Sequence, residues 1–244
     1  MRILLIGYGK MGQAIEQVAL QRGHHIVHKI DLDNRASLAT VGPETIDIAL
    51  EFSQPTAAYS NICQCLTKNI PVISGTTGWL AKKEEVYAHC KARKGTFFYA
   101  SNFSIGMNIF FKINTVLAKL MDQCPEYDVM LAEEHHWEKK DTPSGTAITL
   151  AEGIMQNMHR KKRWEIFSGQ QTRQKDSLDI LVRREQDVPG THTVTYTTQL
   201  DTLELKHIAH GREGFAQGVV LVAEWIQDKQ GILTMEDFLA LDAS

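Results

Sequence analysis

Between Glu133 and Ala147 the chain reads Glu133-Glu134-His135-His136-Trp137-Glu138-Lys139-Lys140-Asp141-Thr142-Pro143-Ser144-Gly145-Thr146-Ala147. These residue types suit proton transfer beside an anion. Histidine exchanges a proton near neutral pH, and lysine holds an anionic group or donates a proton. Thr142 followed by Pro143 reads as an N-cap with proline at the first helical position. The amides of Ser144, Gly145 and Thr146 would then lack intrahelical acceptors and face an anion, with the positive end of the helix dipole behind them. The same letters would also serve a charged turn and an ordinary capped helix. Paired histidines suit a metal, but strand neighbours point to opposite faces. No carboxylate–histidine spacing of a known metal type accompanies them, so no metal is expected. That alternation sets a condition: His135 and His136 serve one ligand only where the strand ends or bends, and the charged run from Glu138 to Asp141 suits an ending.

A second motif stands near the N-terminus. Gly7-Tyr8-Gly9-Lys10-Met11-Gly12 matches G-x-G-x-x-G between an apolar run and a helical pattern, the context in which glycines bring backbone amides to a dinucleotide pyrophosphate. An acidic residue about 20 positions further on should bond the ribose hydroxyls. Asp31 fits, with Asp33 as its neighbour. A carboxylate there repels a 2′-phosphate, which favours NADH over NADPH, while Lys29 and Arg35 flank it and could offset that repulsion. Gly75-Thr76-Thr77-Gly78 and Ala100-Ser101-Asn102-Phe103 follow two later strands. In a parallel sheet ligands sit beyond the carboxyl ends of the strands, so both loops join the cofactor candidates.

The elements that must position these residues fall into two patterns. Strands are expected at Ile3–Ile6, Ile26–Ile30, Ile46–Phe52, Pro71–Ser74 and Thr96–Ala100. Helices are expected at Lys10–Arg22, Thr56–Lys68 and Leu80–Arg93. Alternation of this kind implies a doubly wound parallel sheet of the Rossmann type, covered on both faces. From residue 104 the pattern becomes α+β with a mostly antiparallel sheet. A helix is expected at Ile109–Met121, a strand at Asp128–Glu134, a helix from Pro143 to Met158, β structure over Thr191–Leu205 and a helix at Phe215–Gln227. Ser168–Asp187 is polar and carries no assignable pattern. The resulting division is 1–103, completed by 217–244, for the dinucleotide and 104–216 for substrate and oligomerisation.

Composition narrows the function classes. Lys and Arg number 26 against 29 Asp and Glu, a net charge of −3, with 43% hydrophobic and 23% charged residues. So balanced a globular composition provides no field for a phosphate polymer, and no nucleic-acid partner is expected; the basic run Arg160–Arg163 reads as a solvated loop. Cys63, Cys65, Cys90 and Cys124 have no zinc spacing and are too few for a disulfide framework, which fits free thiols in the cytoplasm. No apolar run approaches the about 20 residues that cross a bilayer, and no membrane partner is expected.

Taken together, the motifs resemble the 4-hydroxy-tetrahydrodipicolinate reductase (dihydrodipicolinate reductase) family. Glu133 to Ala147 reproduces its E-x-H-H-x-x-K-x-D-A-P-S-G-T-A signature with Thr142 in place of alanine. The N-terminal glycine motif, the Gly75–Gly78 loop and Ala100-Ser101-Asn102-Phe103-Ser104-Ile105-Gly106 extend the likeness over nearly the full chain. The departures are Lys10, where the family often has arginine, and a compact region between Arg163 and Thr191. The resemblance implies NAD(P)H-dependent reduction of 4-hydroxy-tetrahydrodipicolinate, a small dicarboxylate, to tetrahydrodipicolinate in diaminopimelate and lysine biosynthesis, by a cytoplasmic homotetramer. It implies proton transfer by His135 and Lys139, and substrate contacts at His136, Ser144, Gly145 and Thr146. Cofactor contacts fall at Gly7, Tyr8, Gly9, Lys10, Met11, Gly12, Asp31, Gly75, Thr76, Thr77, Ala100, Ser101, Asn102 and Phe103; the match at Arg212 is the loosest. Two rivals share part of this pattern: a related dehydrogenase such as an aspartate dehydrogenase, and an NADH sensor without chemistry. Neither needs the histidine, the lysine and the Pro143–Thr146 pocket together.

Overall fold

A computed structural model of the chain describes residues 1–169 and 174–240, with the side chains of residues 35 and 36 left out. The offset expected from Arg35 and part of the polar stretch from Ser168 to Asp187 therefore lie outside the described residues. Two compact units are present: Met1–Ile105 together with the chain from Arg212 onward, and Gly106–Gly211.

In the first unit, β1 (Arg2–Ile6), β2 (His25–Ile30), β3 (Ile48–Glu51), β4 (Val72–Ser74) and β5 (Thr96–Tyr99) alternate with α1 (Lys10–Gln21), α2 (Pro55–Thr67) and α3 (Lys83–Arg93). The chain returns after the second unit to add α6 (Glu213–Trp225), β11 (Gly231–Leu233) and α7 (Met235–Leu239). The six strands run in the order β11-β5-β4-β3-β1-β2, and every ladder is parallel. Both faces are covered, which is why β1 is apolar at almost every position. Ile3 and Leu5 enter one core with Ile15 of α1 and Val219 of α6. Leu4 and Ile6 enter the other with Ile62 of α2 and Val86 of α3. The chain leaves β1 toward β2 on one side and continues through β3 on the other, so a crevice opens beyond their carboxyl ends. The short elements β11 and α7 carry no periodicity long enough to be read from the sequence.

The second unit contains α4 (Ile105–Met121), β6 (Asp128–His135), α5 (Gly145–Asn157), β7 (Arg163–Ile166), β8 (Ser177–Arg184), β9 (Gly190–Thr197) and β10 (Thr202–Ala209). Its sheet is mixed, in the order β10-β9-β6-β8-β7. The two ladders on one side of β6 are antiparallel and the two on the other are parallel. One face is packed against α4 and α5 through Phe110, Leu150, Leu131, Ile180 and Val194. The stretch without an assignable pattern thus supplies β8, whose Leu178 and Ile180 join this core. The four cysteines are free thiols. No helix among the described residues is long and apolar enough to cross a membrane.

Candidate functional site

The glycine motif sits in the turn from β1 into α1. Gly7 has φ +92°, and a side-chain carbon there would lie 2.2 Å from the Phe52 carbonyl oxygen; one at Gly12 would lie 2.3 Å from the Gly7 oxygen. Both glycines are required for strand, turn and helix to pack this closely. Gly9 caps α1 in an extended conformation without any side-chain cap. The first-turn amides are therefore left for a ligand.

Two adjoining hollows follow the carboxyl edge of this sheet. One encloses about 180 Å3 between Gly7, Tyr8, Gly9, Asp31, Ser53 and Asn61. The other, about 270 Å3, is lined by Met11, Phe52, Ser53, Pro55, Gly75, Thr76 and Thr77. Thr76 is buried with its hydroxyl unpartnered. The cradle at Gly7–Gly12 and this orphaned hydroxyl fit a dinucleotide. Lys10 is exposed beside Gly9. Asp31 follows β2 as expected and accepts the Leu32 N–H at 2.9 Å. Lys29 is engaged: its Nζ lies 2.6 Å from Glu16 and 4.4 Å from the Tyr8 ring centroid. Of the second loop, Ser101 is exposed, while Ala100 and Phe103 enter the core. The Phe103 ring packs 5.5 Å from that of Phe52.

In the second unit, strand alternation does the positioning. Val129, Leu131, Glu133 and His135 share the buried face of β6. The first two are core; the next two place a carboxylate and an imidazole where the core ends. The strand stops at His135, and His136 lies in the loop beyond it. Register brings in two residues absent from the sequence-based reading. His192 of β9 stands directly opposite Glu133, and Arg184 of β8 opposite His135. His192 was legible in principle, since Thr191–Tyr196 alternates and puts His192 on the face of Val194 and Tyr196. Arg184 lay in the stretch without a pattern.

Glu133 is fully buried. Both of its oxygens accept the Ser144 N–H, each at 3.1 Å. His135 Nδ1 is 3.6 Å away, His192 Nε2 3.7 Å and an Arg184 nitrogen 3.6 Å. Burial pushes the Glu133 carboxyl up, but the surrounding His192, Ser144 and His135 groups outweigh it and hold it ionised. Burial, then the neighbouring His192, Lys139 and Arg184, press His135 down to about 4 against the pull of Glu133. Its ring is neutral at pH 7, and Nδ1, though buried, has no hydrogen-bond partner. Glu133, His135 and His192 bring donor atoms within 4.8 Å of one another, a spacing that could hold a cation. Arg184 and the Ser144 amide already compensate the carboxylate.

The helix start differs from the expectation. Ser144 is the N-cap, α5 begins at Gly145, and Thr142-Pro143 precedes the cap. The reason is that Ser144 Oγ accepts the Ala147 N–H at 3.1 Å, while Pro143 has no N–H to offer. The Ser144 amide is consequently spent on Glu133, which corrects its expected place in an open anion pocket. Gly145 faces open space. Lys139 Nζ pairs with Asp141 at 2.9 Å. Burial raises the Asp141 carboxyl; Lys139 and backbone N–H groups including that of Gly145 lower it below its ordinary value. Arg184 donates to the Asp141 carbonyl at 2.9 Å and to Thr142 Oγ1 at 3.0 Å. Arg212 is exposed at the start of α6, in the first unit.

Comparison with known proteins covers almost the whole chain. Residues 1–103 match the family model for the N-terminus of dihydrodipicolinate reductase, and residues 106–239 the model for its C-terminus. A 4-hydroxy-tetrahydrodipicolinate reductase of Christiangramia forsetii is 45% identical over 98% of each chain. One from Archaeoglobus fulgidus is 33% identical over 98% of this chain and 100% of its own. Among solved structures, a dipicolinate-bound dihydrodipicolinate reductase from Paenisporosarcina sp. TG-14 superposes with a TM-score of 0.78 at 20% identity, covering 97% of this chain and 98% of its own.

Proposed function

We propose how the work of reduction is divided among the residues of this chain, which belongs to the 4-hydroxy-tetrahydrodipicolinate reductase (dihydrodipicolinate reductase) family. The chain is an NAD(P)H-dependent oxidoreductase of lysine and diaminopimelate biosynthesis, reducing 4-hydroxy-tetrahydrodipicolinate to tetrahydrodipicolinate. When bound, the nicotinamide supplies a hydride to ring carbon 4, and the substrate loses water and gains a proton.

The glycine turn at Gly7–Gly12 holds the pyrophosphate, Asp31 the ribose, and Met11, Gly75, Thr76 and Thr77 line the nicotinamide end. Ala100–Phe103 support that end, Phe103 by packing behind Phe52. Lys139, His136 and the amides of Gly145 and Thr146 take the two substrate carboxylates, the Gly145 N–H exchanging Asp141 for the substrate. Each charge-assisted hydrogen bond contributes about 1.5–3 kcal/mol, so two anchors orient the ring. His135 and Lys139 serve the proton. His135 is neutral when no dianion is near; two carboxylates arriving beside it raise its proton affinity, so it takes up a proton together with substrate. The observation that carries this division is the convergence on Glu133 of the His135 imidazole and the N-terminus of α5. The Paenisporosarcina reductase, solved with dipicolinate, supports a planar dicarboxylate as the ligand. Loss of NADH absorbance with the aldolase product of pyruvate and aspartate semialdehyde tests the activity; no turnover would refute it.

We further propose a preference for NADH. Asp31 lies at the rim of the ribose hollow, and Lys29, held by Glu16 and Tyr8, is unavailable to offset its charge. The ratio of kcat/KM for the two cofactors should favour NADH and should fall in Asp31→Ser; a strong NADPH preference would overturn this. The resemblance also supports a cytoplasmic homotetramer, whose mass light scattering would give directly.

A further inference from the structure

Glu133 contacts His135, Ser144, His192 and Arg184, yet the division above gives it no task of its own. A buried carboxylate is costly unless its charge and lone pairs are met. Here they are met by a backbone amide, two imidazoles and a guanidinium from four different segments. The amide is that of Ser144, which opens α5, so the carboxylate joins the last residues of β6 to the start of that helix. A second link runs parallel to it. His192 Nε2 lies 3.2 Å from Ser144 Oγ, the atom that also caps Ala147. The His192 ring meets the His135 ring edge-on, with centroids 5.1 Å apart. His135 is closed in from its other nitrogen as well: Nε2 would lie 3.0 Å from a side-chain carbon at Gly190. The imidazole is thus held by shape and charge rather than by a hydrogen bond of its own.

We propose that Glu133 and His192 are positioning residues: through Ser144 they lock the N-terminus of α5, which anchors a substrate carboxylate, to the strand end that carries His135. The separation between the proton-transfer group and the carboxylate anchor is then set before substrate arrives. This deepens the division of labour given above and rests on it. Misplacing reacting groups by about 1 Å costs about 100-fold in rate, which sets the expected size of the effect.

The test uses the full-length enzyme, with pyridine-2,6-dicarboxylate as the binding probe and NADH fluorescence as a control for the first unit. In Glu133→Gln the amide oxygen still accepts the Ser144 N–H, but the charge facing His135, His192 and Arg184 is gone. Probe affinity should stay within about threefold because the link to α5 is kept, while kcat falls about 100-fold because the carboxylate no longer holds His135 and His192 in place. In Glu133→Ala both should fall, with NADH affinity unchanged. A purely structural role would not separate binding from turnover in this way. Wild-type kcat in Glu133→Gln, or wild-type probe affinity in Glu133→Ala, would overturn the proposal. If Glu133→Ala does not fold, His192→Asn carries the test: kcat should drop about tenfold with NADH affinity intact, and unchanged kcat would overturn the part played by His192. Wild-type turnover in His135→Gln would sink the underlying division instead. An inactive His135→Gln beside fully active Glu133 and His192 variants would sink only this inference.

Discussion

The two helix N-termini proposed above as anion sites are built differently. That of α1 is bare: Gly9 caps it without a side chain, and the glycines around it bring backbone up to the ligand. That of α5 is already furnished. Ser144 Oγ takes one amide, Glu133 takes another, and the Asp141 carboxylate lies against Gly145. A bare terminus suits a diphosphate, which brings its own charge and is gripped the same way in every dinucleotide. A furnished one has little choice left in where a carboxylate binds. On the division proposed above, the first arrangement serves affinity and the second orientation, which is what a reacting ring requires.

That contrast can be broken from either side. The largest expected effect is in the second unit. His135→Gln should lower kcat by about 100-fold or more while leaving NADH affinity intact, as measured by steady-state kinetics and fluorescence titration. The same variant has a signature in acid. The unfolded imidazole takes up a proton near 6.5, the folded one only near 4. Between these values the unfolded state binds more protons, so stability falls as pH drops through that window. Thermal melts of His135→Gln should fall less steeply there than those of the wild type. A parallel decline would remove the neutral, buried ring from the account.

Gly7→Ala attacks the other side. At φ +92° with the Phe52 carbonyl 2.2 Å away, the methyl forces the turn open. Strain of about 1–3 kcal/mol should weaken NADH by about tenfold or more, without changing the affinity for pyridine-2,6-dicarboxylate. Equal loss of both ligands would show that the two sites do not separate. Gly190→Ala should do the reverse at smaller scale: it crowds the His135 ring, and kcat should fall about tenfold with NADH binding unchanged. Thr142→Ala, which restores the residue usual in the family, should have the smallest effect. It removes one exposed bond to Arg184 and leaves the bond to the Asp141 carbonyl. Stability should change by less than about 1 kcal/mol, and kcat by less than about twofold. A tenfold loss would mean that Thr142 holds the loop in which Lys139 lies.

The contrast also explains what could be read from the letters alone. The first site was legible because it is local: Gly7 to Gly12 are consecutive, and a strand, a turn and a helix suffice to give them meaning. Asp31, Gly75 and Thr76 followed from one rule about strand ends in parallel sheets. The second site was half legible. His135 and Ser144 stand in one motif, but the cap was misplaced by two residues, because the side chain of Ser144 competes for that role with Thr142 and wins through its bond to Ala147. Arg184 and His192 lie 49 and 59 positions beyond their strand partners His135 and Glu133, and neither carries a motif; register alone sets them there.

By itself, then, the amino-acid order determined the parallel sheet, the dinucleotide turn and the presence of a histidine, a lysine and a helix start in one short segment, since each depends on neighbours a few residues apart. Only the tertiary structure decided that Glu133 would be the hub of the second site, that the Ser144 amide would be spent on it, and that Lys29 would be tied to Glu16. Those outcomes depend on which strands pair and in what register, and a one-residue slip in β6 or β9 would have turned Glu133 and His192 to opposite faces of the sheet.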